Sequence, residues 1–285
     1  MSQKGRGVPS SRLRDWWAGG SHEDLAGWRV FVRIEGEEGP WTTWLHGFPT
    51  SSYDWEPLLS HARPPGRHLL IDFLGFGASE KPKKHRYSLV EQADIIEAAW
   101  AAHGVTETRL VSHDYGVSVA QELLARRTVT INEAVFMNGG LFPDLHHPIF
   151  MQKVLAGPLG PLLGRLGNER TYTQGMKRVM NHPPSDEELH EHWIATSRDD
   201  GKLALTRLIG YIDERRANEA RWVGALTGTP EIPKRFIWGP EDPVSGAHVL
   251  PRIRSSVPDA DVRVIDDAGH WPQLEDVAAV AAALR

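Results

Sequence analysis

The stretch Thr108-Arg-Leu-Val-Ser-His-Asp-Tyr-Gly-Val-Ser-Val-Ala-Gln121 decides the fold. Arg109-Leu-Val111 reads as a short buried strand, and Ser112-His-Asp-Tyr-Gly116 as a tight turn. From Val117 the chain is helical, with apolar residues at Val117, Ala120, Leu123 and Leu124. Strand, sharp turn and helix make the context of a nucleophile elbow, whose pattern is small-x-nucleophile-x-small. The small positions are needed because the strand end and the helix start approach within contact. Ser112 and Gly116 fill them, which leaves Asp114 in the nucleophile position with its side chain aimed above the sheet edge.

A strand-helix rhythm surrounds the elbow. Trp28–Ile34 alternates apolar and polar residues and reads as an outer strand. Trp41–Leu45 is a second strand ending in His46-Gly47-Phe48-Pro49, and Leu69–Leu74 a third ending at Gly75-Phe76-Gly77. Ser88 with Glu91 three residues on predicts a capping box opening a helix through Trp100. Glu133–Met137 is a strand closed by Asn138-Gly139-Gly140. The rhythm then stops, and residues 141–233 read as Pro/Gly-punctuated helix: Pro148–Leu155, Pro161–Leu166, Asp186–Thr196 (capped by Ser185 with Glu188) and Leu203–Arg216. About ninety such residues are too many for a connection and predict an inserted helical cap. Strands resume at Lys234–Trp238, ending in Gly239-Pro-Glu-Asp242, and at Asp261–Ile265, ending near His270; Leu274–Leu284 closes the chain as a helix. Residues 1–140 and 234–285 thus form an α/β core, and residues 1–27 read as a loose lead-in with one short helix around Leu13–Trp17.

Asp114, Asp242 and His270 each follow a strand. In an open parallel sheet those C-terminal ends line the active crevice. Nucleophile, acid, histidine is the chain order of α/β-hydrolases. His270 is therefore expected to activate water, and Asp242 to hold its tautomer and stabilise the imidazolium. Glu241 and Asp213 are the competing carboxylates; the spacing after Trp238-Gly-Pro favours Asp242. Of the fourteen histidines, His270 is the one that follows the last strand with Gly before it. An aspartate nucleophile attacks saturated carbon and leaves an alkyl ester, which activated water then cleaves at the carboxyl carbon. The oxyanion of that second step forms on Asp114, and the backbone N–H groups of Tyr115 and Phe48 are the expected donors. His46 is expected to brace its loop, His113 to be a packed neighbour, and His146-His147 to sit in a solvated loop rather than on a metal.

The bulk numbers bound the rest. The 285 residues suffice for one large α/β domain with an insertion. Hydrophobic content of 40% and charged content of 24% are those of an ordinary globule. The net charge of −5 argues against nucleic acid or an anionic membrane as partner. The absence of cysteine removes disulfide, thiolate and cysteine-metal chemistry. No apolar run approaches a membrane span and no apolar h-region opens the chain, so a cytoplasmic monomer or homodimer is expected.

His46-Gly-Phe-Pro-Thr-Ser-Ser-Tyr-Asp-Trp55, Asp72-Phe-Leu-Gly-Phe-Gly-Ala-Ser-Glu-Lys-Pro82 and Ser112-His-Asp-Tyr-Gly116 resemble the epoxide hydrolase and haloalkane dehalogenase branch of the α/β-hydrolase fold. The resemblance covers most of residues 40–280 and is weakest at 150–185. It implies a mostly parallel sheet flanked by helices, no cofactor, no metal, and a small apolar organic substrate with water as co-substrate. Dehalogenases of this branch usually bind the halide through a Trp after the nucleophile and a Trp or Asn; here those positions hold Tyr115 and Phe48. Epoxide hydrolases carry His-Gly-x-Pro, matched by His46 to Pro49, and protonate the epoxide oxygen with cap tyrosines. Leu208-Ile-Gly-Tyr211-Ile-Asp-Glu-Arg resembles the segment of one of these, so the resemblance implies Tyr211 as the acid. Tyr172 is the other tyrosine of the cap, and Pro49, Tyr172 and Trp271 are expected around the pocket. Epoxide hydrolysis to a vicinal diol is the leading expectation. Dehalogenation of a haloalkane or haloacid and non-catalytic ligand sensing remain as alternatives.

Overall fold

The computed structural model of the chain describes residues 9–148, 152–154, 157, 160, 164, 166–257 and 259–285. Eight strands form one sheet: β1 (Ser21–Leu25), β2 (Trp28–Glu35), β3 (Trp41–Leu45), β4 (Arg67–Ile71), β5 (Glu107–His113), β6 (Thr130–Met137), β7 (Lys234–Trp238) and β8 (Asp261–Val264). Their order is β1-β2-β4-β3-β5-β6-β7-β8. The pairs β1–β2 and β2–β4 are antiparallel and every other pair is parallel.

Period-two alternation explains why this sheet is covered on both faces. Leu69, Leu110, Ala134 and Phe236 enter one apolar cluster. Their chain neighbours Leu70, Val111, Val135 and Ile237 enter a second cluster on the opposite face. The first face is covered by α3 (Leu89–Ala102), α4 (Tyr115–Arg126) and α9 (Glu219–Thr227), and the second by α1 (Ser11–Ala18), α2 (Glu56–Ala62) and α12 (Val277–Ala283). Glu122 ties two of these helices together. From α4 it accepts Arg221 Nε and Trp222 Nε1 of α9, each at 2.7 Å.

Between β6 and β7 the described residues carry the helices α5 (Glu169–Lys177), α6 (Asp186–Ser197), α7 (Gly201–Leu208), α8 (Tyr211–Ala217) and α9. After β7 come α10 (Leu250–Ser256) and, ahead of α12, the short α11 (Pro272–Glu275). None of the helices of the described residues is long and apolar enough to cross a membrane.

The structure departs from the sequence expectations in several places. Ser21–Leu25 is not lead-in but the edge strand β1, held by its register with β2. Ser88 accepts the Glu91 N–H at 3.1 Å, but the Glu91 carboxylate binds Trp28 Nε1 and His85 instead of returning to the cap, so the box is half made. The box at Ser185 and Glu188 is complete. The expected helix 203–216 is broken at Ile209-Gly210 into α7 and α8, and the closing helix is broken at Asp276. The expected helices Pro148–Leu155 and Pro161–Leu166 lie largely outside the described residues.

Candidate active site

Because β3 and β5 are neighbours, the loops that follow them meet at the sheet edge, where Leu45 is paired with Ser112. Asp114 leaves β5 at φ 44°, a region an L-residue enters only where the surroundings enforce it. Asp114 N–H donates to Asn138 O at 3.0 Å and Gly116 N–H to His46 O at 3.0 Å, which pins the turn from both sides. Ser112 is buried and donates its hydroxyl to Val135 O, so it fills the small slot and is turned away from the crevice. Gly47 lies on the other wall, where a Cβ would come within 2.6 Å of the His113 ring and 3.1 Å of Asp114 Cβ.

Three groups converge on the Asp114 carboxylate. Phe48 N–H donates to Oδ2 at 2.9 Å. His270 Nε2 stands 3.6 Å from Oδ1, an electrostatic rather than a hydrogen-bonded contact. Arg215 Nη2 is 3.8 Å from the same Oδ1. Tyr115 opens α4, so its N–H belongs to the first-turn donors that have no acceptor within the helix. On the far side of the imidazole, His270 Nδ1 is 2.7 Å from Asp242 Oδ2. Asp242 also accepts Asn138 Nδ2 (3.1 Å), Ser245 Oγ (2.7 Å) and Val244 N–H (2.7 Å). A carboxylate with four donors is held ionised and fixed, so the ring keeps a proton on Nδ1 and turns Nε2 to Asp114.

Charge follows from this geometry. Burial would raise the Asp114 carboxyl, but His270 and, behind it, Arg215 and His113 outweigh burial and hold it below the usual carboxylate range. Burial likewise opposes protonation of His270, yet Asp242 and Asp114 overcome it and raise the imidazole to about 10. His46 is lowered to about 4, chiefly by burial, and its Nε2 accepts Phe73 N–H at 3.1 Å. His113 is packed as expected, buried with Nε2 2.7 Å from His270 O. Burial raises Asp54 to about 8, against hydrogen bonds from Thr50 and Trp271.

A cavity of about 360 Å³ opens above Asp114. Phe48, Pro49, Asp114, His270 and Trp271 line its base, and Tyr172 and Trp193 line it from α5 and α6. Tyr211 is placed differently. It is buried beside the site, its ring centroid 5.7 Å from Phe48 and 5.2 Å from Tyr115, and its Oη accepts Gln152 Nε2 at 3.2 Å. Gln152 lines the cavity; Tyr211 does not. The Tyr172 hydroxyl is 3.3 Å from Thr196 Oγ1. Trp271 spends its indole N–H on Asp54 Oδ2 at 3.3 Å. His146 corrects the solvated-loop expectation: it is buried, while His147 is exposed and stacks on His248. Sequence reasoning missed Arg215, and it missed Asn138 as the amide that joins the Asp114 turn to Asp242.

Residues 44–277 match the α/β-hydrolase fold family. The chain belongs to that family. The mesoderm-specific transcript homolog protein of Bos taurus is 40% identical, over 94% of this chain and 85% of that protein. Two solved structures share the fold. The haloalkane dehalogenase DatA from Agrobacterium tumefaciens C58 has a TM-score of 0.79 at 21% identity, covering 97% of each chain. The epoxide hydrolase CorEH has a TM-score of 0.75 at 18% identity, covering 93% of this chain and 96% of that one. The chain is thus a hydrolase of the α/β-hydrolase fold.

Proposed function

We propose that the protein hydrolyses a small apolar epoxide to a vicinal diol through a covalent ester on Asp114, under a cap formed by residues 141–233. The observation that carries the reading is the Asp114 carboxylate itself. It is kept ionised at the floor of the cavity, with Oδ2 on the Phe48 N–H and Oδ1 facing His270.

Oδ1 attacks an epoxide carbon, the ring C–O bond breaks, and the released oxygen takes a proton from a phenol. We assign that proton to a phenol of the 141–233 segment: Tyr172 stands on the cavity wall, whereas Tyr211 stands behind Gln152, which must move aside for its hydroxyl to reach the released oxygen. Burial of both phenols raises them well above the ordinary tyrosine value, so both are neutral and able to donate. The His270 imidazolium, no longer facing a carboxylate, gives up its proton, which restores the phenol by way of water; a second water then gives a proton to the neutral imidazole and attacks the ester carbon. The negative charge passes to Oδ2, where Phe48 N–H already points and Tyr115 N–H is unspent. Collapse expels the diol oxygen, which takes a proton from His270, and the Asp114 carboxyl passes its own proton back to the imidazole, which restores the carboxylate–imidazolium pair of the resting site. The commitment of the Trp271 indole to Asp54 supports an epoxide over a halide leaving group, since it removes one N–H donor from the cavity.

The test is the intact mass of His270→Gln after incubation with epoxides and haloalkanes. The base is gone, so the ester is expected to accumulate, heavier by the whole epoxide. In the same background Tyr172→Phe and Tyr211→Phe identify the donor: loss of the acid should slow epoxide adduct formation by about 10²-fold, within the usual range for a general acid, and loss of the other phenol should slow it less. An adduct lighter by hydrogen halide, formed from haloalkanes only, would move the reaction to dehalogenation. No adduct from a folded variant would overturn the ester mechanism and return the protein to ligand sensing.

A further inference from the structure

Arg215 belongs to α8, outside the α/β core, yet its guanidinium is buried beside the nucleophile at 2% exposure. Nε donates to Ser118 Oγ on α4 at 2.6 Å and Nη2 to the Asp114 backbone carbonyl at 2.9 Å. The Tyr211 ring lies 4.5 Å beneath it. Nη1 is buried with no hydrogen-bond partner, close enough to Gly140 that a Cβ there would come within 2.4 Å. Burying a guanidinium costs several kcal/mol unless a counter-charge compensates it. Among the described residues the carboxylate within ion-pair reach is that of Asp114. Glu214, next to it on α8, is turned to the Leu89 and Val90 N–H groups.

We propose that Arg215 is a positioning residue for hydrolysis of the ester: its fixed charge balances the Asp114 carboxylate and lets His270 release its proton once that carboxylate has been alkylated. The inference rests on the reading of Asp114 as nucleophile. Two carboxylates, Asp114 and Asp242, and two cations, Arg215 and His270, meet in the resting site. Ester formation removes one negative charge. With Arg215 present the remaining set is one negative against two positive, which drives the proton off His270, by way of water, to the phenolate that ring opening leaves, and makes the imidazole a base. Without Arg215 the Asp242–His270 pair would be balanced and the imidazole would stay protonated. Arg215 and His270 approach the same oxygen from 3.8 and 3.6 Å, so they lie no more than about 7.5 Å apart. At an effective dielectric of about 20 that separation corresponds to one to two pH units on the histidine. The other titratable groups around the pair are accounted for. His113 binds the His270 carbonyl, Tyr211 is a neutral phenol, and burial, with Arg215 behind it, lowers His146 to about 4. Asp54 is held by Thr50 and Trp271.

A test that needs no substrate uses Asp114→Asn, which imitates the neutral ester in charge. The His270 imidazole is titrated by nitrogen NMR, its signal assigned by loss in His270→Gln. Adding Arg215→Gln to Asp114→Asn is expected to raise the His270 midpoint by at least one pH unit; adding Arg215→Lys should leave it within about 0.3 of Asp114→Asn alone. If the glutamine variant does not fold, Arg215→Met, which keeps the packing over Tyr211, makes the same comparison. Equal midpoints with and without the cation would overturn the proposal. In the otherwise native chain, Arg215→Gln should move the acid limb of ester hydrolysis upward by the same amount, where a purely structural residue would lower the rate equally at every pH. Equal midpoints refute the role of Arg215 whatever the substrate, whereas absence of any Asp114 adduct refutes the nucleophile reading instead.

Discussion

Asp114→Ala is expected to lower turnover by about 10⁴-fold or more, equivalent to about 5 kcal/mol of barrier, because it removes the atom that forms the covalent bond. The fold should survive at reduced stability, since the cut leaves the buried Arg215 guanidinium without its counter-charge. The contacts that hold the turn use the Asp114 main chain: its N–H on Asn138 O, and its carbonyl under Arg215 Nη2. These persist when the side chain is cut at Cβ. Steady-state assay with the substrate that labels His270→Gln, together with circular dichroism, checks both halves. The mass experiment supplies the control, since Asp114→Ala in the His270→Gln background should take up no adduct. A folded Asp114→Ala that kept more than about 1% of native turnover would place the attacking group elsewhere. Ser112 is a poor substitute, being buried with its hydroxyl spent on Val135 O.

The parts of this site that the sequence carries openly are those set by local chemistry. The elbow is legible because Ser112 and Gly116 flank Asp114 between a buried apolar run and an amphipathic helix. Asp242 and His270 are legible because each lies in the loop after a strand: Asp242 follows the apolar end of β7 at Phe236-Ile-Trp238, and His270 follows the alternating β8 with Gly269 before it. What the sequence hides are the residues whose meaning is tertiary. Arg215 stands in Asp213-Glu-Arg-Arg216, a charge run that reads as the solvated face of a helix. Nothing local tells that Arg215 is buried on Asp114 while Arg216 pairs with Asp213 at the surface. Ser21-His-Glu-Asp-Leu25 has no apolar alternation, since as an edge strand it buries only its last residue; pairing with β2 makes it a strand. Asn138 looked like a turn residue, and only the adjacency of β6 and β7 brings its amide to Asp242. Tyr211 shows the limit from the other side. Its segment could be found in the sequence, but its place behind Gln152 rather than on the cavity wall depends on how α8 packs against Phe48 and Tyr115.

Gly116→Ala is expected to damage the site far more than one added methyl group suggests. A Cβ at this position would lie 2.4 Å from the Leu45 carbonyl oxygen and 2.7 Å from its carbon. These are backbone atoms of a central strand and cannot swing aside as a side chain would. Either α4 or β3 must move, and the two are stitched together at this point by Gly116 N–H on His46 O. Overpacking of this kind costs about 1–3 kcal/mol, which for a domain of this size lowers the melting temperature by several degrees. The catalytic effect should exceed the effect on stability. Phe48 N–H follows Leu45 by three residues, and Asp114 precedes Gly116 by two, so prising the two chains apart lengthens the 2.9 Å contact on Oδ2. An oxyanion donor displaced by about 1 Å loses on the order of 10²-fold in rate. Thermal melting and single-turnover hydrolysis of the ester measure the two losses separately. Hydrolysis should slow more than alkylation, because the oxyanion is held by Phe48 only in the second step. A variant that melted several degrees lower yet hydrolysed its ester at the native rate would show that the strand yields without moving the Phe48 amide, and that the oxyanion site is less rigidly coupled to the elbow than this geometry implies.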